Sequence, residues 1–296
     1  MMKNERFSGA GSVIAAYVLW GSLPLFWILF DGIDSMYILA QRLVWSLVVI
    51  FPLILLAGNT NEIRSVFRDR RLLGFCFLAG ILISVNWGSY IFAVSHGFVL
   101  DASLGYFIEP IVVSLIGVLF FKERMSKAEW VTFGFAAVAL VYMIVSLKTL
   151  PFLALVIAFS FALYGAVKKK LSLSANTSLF METLCVSPFA LLFIAYGEMA
   201  GIGCGGVFHG WQFLLLPLCG IVTAIPLLLF NIGVKKIPYY LSGILMYINP
   251  TLQFLIGLFL MGEDLVLHEL IAFIMIWCGI SFTIAEKIKM MKKAEE

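Results

Sequence analysis

Residues 104–121 read LGYFIEPIVVSLIGVLFF, an apolar run in which an acid and a proline stand side by side. About 20 apolar residues are enough to cross a hydrocarbon core of about 30 Å as a helix. A carboxylate at that depth costs a few kcal/mol, so it is retained where it has a use. The run therefore predicts a membrane-spanning helix in which Glu109 needs a specific reason to be present.

A second stretch repeats this pattern. Residues 244–261 read ILMYINPTLQFLIGLFLM and align with the first stretch at an offset of 140. The tripeptides LWG at 19–21 and LYG at 163–165 align at an offset of 144. We therefore predict a duplicated chain, with a first five-span repeat over 1–148 and a second over 149–296. The other paired positions are Pro110 and Pro250, Gly117 and Gly257, Glu123 and Glu263, and Gly80 and Gly220.

The composition indicates that most of the chain is surrounded by lipid. The chain has 296 residues, of which 62% are hydrophobic and 12% charged, and this is more apolar surface than one soluble core can bury. We predict an all-α integral membrane protein with ten spans. They are predicted at 10–30, 36–57, 72–94, 101–121, 127–147, 150–167, 177–197, 211–233, 239–261 and 265–286.

The basic residues give the orientation, because cytoplasmic loops are enriched in Lys and Arg. With the N-terminus inside, 18 of the 20 basic residues fall on the inner side. Only Lys148 falls in an outer loop, and Arg42 lies within the second span. Both termini are therefore predicted to be cytoplasmic. The inner residues are Lys3, Arg6, Arg64, Arg68, Arg70, Arg71, Lys122, Arg124, Lys127, Lys168, Lys169, Lys170, Lys235, Lys236, Lys287, Lys289, Lys292 and Lys293.

Five spans per repeat is an odd number, so the second repeat enters the membrane from the opposite side. Inverted repeats with proline-broken helices near their interface are typical of secondary transporters, in which one part rocks against another to alternate access to a central site. The pattern therefore predicts a gradient-driven transporter with a small-molecule solute as its partner.

Arg42 and Glu182 are ionisable residues well inside spans, and they occupy equivalent positions at the offset of 140. One hypothesis is that the Arg42 guanidinium holds an anionic group of the solute, or clamps Glu182 in one state and releases it in another. The alternatives are a permanent buried ion pair, or an arginine that reaches toward the outer interface.

Glu109 has three interpretations. In the first, it is a proton carrier that is neutral in one half of the transport cycle and charged in the other. In the second, it is a ligand for a cationic or amino-bearing solute. The third is a protonated acid that is hydrogen-bonded to a neighbouring helix.

Pro110 and Pro250 predict helix kinks near the centre of the bundle. Proline removes a helical hydrogen bond, which frees the carbonyls of Tyr106 and Met246, and such groups are tolerated where they line a cavity. Helical spacing places further polar side chains on shared faces. The remaining candidates for solute binding or coupling are Asn86, Tyr90, Thr223, Asn231, Tyr247, Asn249 and Gln253.

Ten short motifs spread along the chain resemble the RarD-like branch of the EamA families in the drug/metabolite transporter superfamily. The motifs are AYVLWGSLPLFW, QRLVWS, NWGSYIFAVSHG, DASLGYFIEP, GVLFFKER, FSFALYGAVKKK, METL, IVTAIPLLLF, LSGILMYINPTLQFLIG and GE at 262–263.

The resemblance implies two inverted EamA repeats in a bacterial inner membrane and export of small metabolites or drugs. The chain departs from the family pattern at Glu109, where relatives carry Asn in an INP motif, and at Met246, where they carry Gln. If these side chains touch the solute, the specificity differs from that of the relatives.

Several function classes are disfavoured by the motifs. The chain shows no nucleotide-binding motif, no metal-ligand spacing and no pairing of acids and histidines, so we expect no cofactor, no metal and no enzymatic activity. A net charge of +3 does not indicate nucleic acid. The favoured function is a proton-linked exporter of small amphipathic solutes; a channel or facilitator is the alternative, and a membrane-embedded enzyme is less favoured. The solute, the coupling ion and the oligomeric state do not follow from the sequence.

Overall fold

The structure is a computed structural model that describes residues 2–96, 99–147, 152–262 and 265–295. Ten helical segments in these ranges are long and apolar enough to span a bilayer, which confirms the predicted all-α, ten-span fold. Lys148 and Glu263 lie outside the described residues. The helices are α1 (Met2–Ser22), α2 (Pro24–Trp27), α3 (Ser35–Leu56), α4 (Thr60–Arg68), α5 (Arg70–Ser95), α6 (Val99–Leu119), α7 (Lys127–Leu147), α8 (Phe152–Lys170), α9 (Ala175–Ala200), α10 (Leu215–Val234), α11 (Tyr239–Met246), α12 (Ile248–Ile256) and α13 (Leu267–Glu295).

The first span is longer than predicted and is broken. Its helix begins at Met2 and ends at Ser22; after Leu23 the chain continues as α2 and a 3₁₀ turn over Ile28–Phe30. Pro24 occupies the first position of α2, where a missing N–H does not cost a helical hydrogen bond. This break was not among the predicted kinks. It places Trp27 beside Arg42.

The predicted kink at Pro250 coincides with an interruption of the ninth span. α11 ends at Met246 and α12 begins at Ile248, as expected where a proline ring clashes with the carbonyl four residues earlier. Pro110 lies within the continuous helix α6.

The helix contacts between the two halves come in equivalent pairs. α1 packs on α10 as α8 packs on α5, and α3 packs on α10 as α9 packs on α5. α1 also contacts α11 and α12, while α8 contacts α6. Each pairing maps onto another when the repeats are interchanged, as inverted repeats require.

Two equivalent glycines permit close approach in two of these contacts. A Cβ on Gly80 would lie 2.7 Å from the backbone oxygen of Glu182, and a Cβ on Gly220 would lie 2.6 Å from the backbone oxygen of Trp45. The α5–α9 and α10–α3 contacts therefore need glycine at the same offset of 140 that relates the two halves.

One end of the molecule carries most of the basic residues, and we call it the basic end. It includes α4, the segment 120–126 and Lys235 with Lys236. The amphipathic α4 was not predicted. Its Glu62 accepts hydrogen bonds from the Ser174 backbone nitrogen at 2.6 Å and from the hydroxyls of Ser174 and Thr177. Burial raises the pKa of Glu62, but these hydrogen bonds outweigh it, so the pKa lies below its usual value.

Candidate functional site

A cavity of about 120 Å³ lies in the centre of the bundle, between the two halves. It is bordered by α1, α2, α3, α5, α6, α8, α11 and α12. Seven of the eleven predicted binding or coupling residues line it. They are Arg42, Asn86, Tyr90, Tyr106, Glu109, Asn249 and Gln253.

Glu109 contributes the acid of this cavity. Its side chain is 6% exposed, and it has neither a hydrogen-bond nor an ion-pair partner among the described residues. A buried carboxyl group without a partner is destabilising, so such a group calls for a counterpart from outside the protein. Its equivalent in the second repeat, Asn249, lies in the same cavity.

Arg42 supplies the opposite charge at the rim. Its Cζ atom lies 4.6 Å from the centre of the Trp27 ring and 4.2 Å from that of Trp87, so the guanidinium is held between two indoles. Its Nε donates a hydrogen bond to Thr223 at 3.1 Å. The two Nη groups have no protein partner within the described part of the chain and are available to an anionic group.

The hypothesis that Arg42 clamps Glu182 does not describe this conformation. Glu182 Oε2 lies 2.5 Å from the Nζ of Lys168, and both side chains are buried. The reason is geometric: Arg42 is seven residues from the start of α3 and Glu182 is seven residues from the start of α9, and these helices begin at opposite ends of the bundle. Lys168, counted above with the inner loop residues, lies within the bundle.

Polar side chains on α12 and α5 shape the remaining walls. The Nε2 of Gln253 donates to the Oδ1 of Asn249 at 2.9 Å, as their spacing of four residues predicts. The Nδ2 of Asn86 donates to the carbonyl of Ile157 at 2.8 Å, which joins the two halves. These bonds fix the amides and leave acceptor and donor atoms along the cavity wall.

The cavity communicates with two wider spaces toward the end opposite the basic end. A vestibule of about 570 Å³ shares Trp27, Arg42, Trp87 and Tyr90 with it. A side space of about 330 Å³ shares Tyr106 and Gln253 with it and reaches Glu269 on α13. The cavity therefore adjoins open space on the side opposite the basic end.

The basic end is closed below the cavity. The Tyr17 hydroxyl, at the cavity floor, hydrogen-bonds the Ser242 hydroxyl at 2.9 Å. Nearer the surface, Glu123 accepts from the backbone N–H of Tyr240 at 3.0 Å and pairs with Lys169 at 3.3 Å. Lys169 also donates to the carbonyl of Ile237 at 2.5 Å.

Four predicted site residues do not line the cavity. Thr223 lies behind Arg42 as its hydrogen-bond partner. Glu182 and Asn231 lie in a buried cluster toward the basic end, with Lys168. Tyr247 lies against α6, where its hydroxyl donates to the carbonyl of Phe107 at 3.3 Å.

Several lining residues were missed because they are aromatic or apolar. Trp27 and Trp87 hold the Arg42 guanidinium between their rings, and Trp87 directly follows the predicted Asn86. The available signal was the position of both tryptophans in the family-like motifs. The missed residues are Tyr17, Leu23, Pro24, Trp27, Trp87, Ile157 and Phe161.

Comparison with known proteins gives consistent results. The sequence profile of the EamA-like transporter family matches twice, over residues 7–145 and 149–285. The uncharacterized transporter YojE of Bacillus subtilis is 40% identical over 98% of this chain and 97% of its own length. Protein RarD of Streptomyces exfoliatus is 39% identical over 94% of this chain and 88% of its own length. A solved crystal structure with 17% identity has the same fold, with a TM-score of 0.73 over 94% of this chain and 97% of that one.

Proposed function

Because this chain belongs to the EamA-like transporter family, we propose that it is a proton-linked exporter of small amphipathic metabolites or drugs in a bacterial inner membrane. The chain is a multi-pass membrane transporter of the RarD-like kind. With its basic end in the cytoplasm, as the distribution of Lys and Arg favours, both termini are cytoplasmic and the cavity faces outward.

The observation that carries the proposal is the Glu109 carboxyl group, unpartnered at the membrane-embedded cavity. A cationic group of the solute binds Glu109, and an anionic group binds the free N–H groups of Arg42. The apolar part of the solute lies against Trp20 and Phe161, which line the same cavity. This arrangement favours a solute with two polar ends and an apolar body.

Coupling then follows from competition for one carboxylate. In the outward-accessible state a proton from the outside binds a Glu109 oxygen, and the solute's cationic group leaves with the solute. With Glu109 neutral, the protein changes to the inward-accessible state. There the proton is released to the cytoplasm, and the cationic group of a new solute binds the Glu109 carboxylate. One proton enters for each solute exported, and the carboxylate is occupied in both transitions.

A closed basic end favours a carrier over a channel. The contact between Tyr17 and Ser242 blocks the path directly below the cavity, and the Glu123–Lys169 pair closes the surface beyond it. A channel needs a continuous path in its conducting state, whereas a carrier exposes its site to one side at a time.

Flux measurements in proteoliposomes test the proposal. Purified protein is reconstituted with an imposed proton gradient and challenged with a panel of the twenty amino acids and chloramphenicol. We expect saturable flux of at least one solute that responds to the gradient. In Glu109→Gln we expect the gradient dependence to be lost, because an amide does not take up or release a proton at physiological pH.

Glu5→Gln is the matched control, since it removes an exposed acid near the N-terminus. The coupling proposal is wrong if Glu109→Gln retains the gradient response of the wild type. Flux that rises linearly without saturation would instead favour the channel.

A further inference from the structure

The internal repeat relates the open vestibule to a closed polar cluster at the basic end. Arg42 corresponds to Glu182 and Tyr90 to Phe230 at the offset of 140, while Trp20 corresponds to Tyr164 at 144. The first-repeat residues line the cavity. Their second-repeat equivalents are at most 1% exposed. Lys168, which pairs with Glu182, is 0% exposed.

Charges occupy this closed cluster. The Nζ of Lys168 lies 2.5 Å from Glu182 Oε2 and 2.5 Å from the Ser178 hydroxyl, and the Tyr164 hydroxyl donates to Glu182 Oε1 at 3.1 Å. Desolvating two charges is costly, and well-packed apolar residues are often as stable as a buried ion pair. Stability alone therefore does not account for charges here.

Asn231 adds an unpartnered amide to the cluster. It is 0% exposed, and neither its Nδ2 nor its Oδ1 has a hydrogen-bond partner among the described residues. Its side chain lies beside Tyr164, which touches Glu182. A buried amide left without partners is destabilising, so a partner in another conformation offers a reason to retain it.

We propose that Lys168, Glu182 and Asn231 form the inner solute site, which is closed in the present conformation and opens when the vestibule at the opposite end closes. In that state Lys168 separates from Glu182. A solute that enters from the basic end meets this site first: the ammonium binds its anionic group, the carboxylate binds its cationic group and Asn231 hydrogen-bonds it, before the solute moves on to Arg42 and Glu109. The inner site thus takes the same class of solute, bearing one anionic and one cationic group, as Arg42 and Glu109. This inference rests on the proposed transport function.

Accessibility of Asn231 tests the opening without knowledge of the solute. The variant is Asn231→Cys in a chain whose five native cysteines are replaced by Ala. A membrane-impermeant maleimide is applied to vesicles from the basic-end side. We expect labelling about tenfold faster than at Ser187→Cys, an equally buried position on α9 outside the cluster. Labelling of Asn231→Cys no faster than Ser187→Cys would overturn the inference.

Exchanging the two charges separates a binding role from a structural one. The double variant Lys168→Glu with Glu182→Lys keeps an ion pair in the same place but reverses the charges offered to the solute. We expect a loss of about tenfold or more in flux of a solute that the wild type transports, with unchanged binding from the vestibule side measured by tryptophan fluorescence. Flux equal to the wild type would mean that the pair is only structural.

These results are distinguishable from failure of the transport proposal itself. Absence of flux in the wild type, across the whole panel, would count against the proposed function. Flux in the wild type together with a fully active charge-exchanged variant would count against the inner site alone. Should the exchanged variant not fold, the labelling comparison still decides the matter.

Discussion

Tyr247 and Phe107 occupy equivalent positions in the two repeats and contact each other directly: the Tyr247 hydroxyl donates to the Phe107 carbonyl at 3.3 Å. Phe107 lies one turn before Pro110, next to the residue whose carbonyl was predicted to be freed by that proline. Contact between equivalent positions occurs where a pseudo-twofold axis passes, so α6 and the α11–α12 break meet at this axis.

Removal of the Tyr247 hydroxyl should weaken the contact between α6 and the α11–α12 break. We expect Tyr247→Phe to lower the free energy of unfolding by about 1 kcal/mol, the usual net value of one hydrogen bond. Thermal unfolding in detergent measures this. Tyr196→Phe serves as the control because Tyr196 is 59% exposed, and it should leave the midpoint unchanged. Equal midpoints for Tyr247→Phe and wild type would mean that water replaces the hydroxyl.

The indole pair around Arg42 should make lysine a poor substitute. Arg42→Lys keeps the charge but loses the planar group that stacks between Trp27 and Trp87 and the fork that binds an anion through two N–H groups. We expect solute affinity to fall roughly tenfold, equivalent to about 1.4 kcal/mol. Titration of tryptophan fluorescence gives the affinity. Arg68→Lys, on α4, is the control. An unaltered affinity in Arg42→Lys would place the anionic group elsewhere.

The Glu62 network predicts a pH-dependent stability at the basic end. Because the pKa of Glu62 is lowered on folding, its contribution is present above the ordinary value of 4.5 and is lost as pH falls through the lower folded value. Glu62→Gln should therefore unfold at a lower temperature than the wild type at pH 7. The gap should shrink below pH 4.5, as followed by thermal unfolding across a pH series. A difference in unfolding temperature that does not change with pH would show that Glu62→Gln destabilises the protein through the shape of the amide and not through the lost charge.

The Glu123–Lys169 pair should keep the basic end closed. Lys169→Met removes both the ion pair and the hydrogen bond to the Ile237 carbonyl. We expect backbone amides of residues 239–243 to exchange with deuterium roughly tenfold faster, since a loss of about 1.4 kcal/mol in local stability changes the open population by that factor. Lys170→Met, at an exposed position, should exchange as the wild type does. Exchange unchanged in both variants would assign the closure to the apolar contacts of α11.

Polar residues at membrane depth made most of the cavity predictable. Glu109, Asn249 and Gln253 stand out in apolar spans because polar groups there are costly, and helical spacing puts the last two on one face. Trp27 and Trp87 were not predicted, because a chain with 7 Trp and 27 Phe gives no single aromatic residue a distinct signal.

The contact between Arg42 and Glu182 that one hypothesis proposed is not formed in this conformation, for a different reason. Sequence equivalence between Arg42 and Glu182 indicates symmetry, and an inverted axis carries a residue away from the midplane to the opposite side. Only positions near the axis, such as Phe107 and Tyr247, meet their equivalents. Lys168 was assigned to a loop because three consecutive lysines at the end of an apolar run resemble a solvated terminus, whereas α8 continues through Lys170.

The break after Ser22 has a further consequence. The repeats align at an offset of 144 before it and at 140 after it, so the first repeat holds four additional residues there, about one helical turn. That segment carries Trp27 over Arg42. The second repeat lacks these four residues at the corresponding position near the basic end. The two ends of the duplicated unit are therefore unequal: one helical turn present only in the first repeat gives the end opposite the basic end a tryptophan over Arg42.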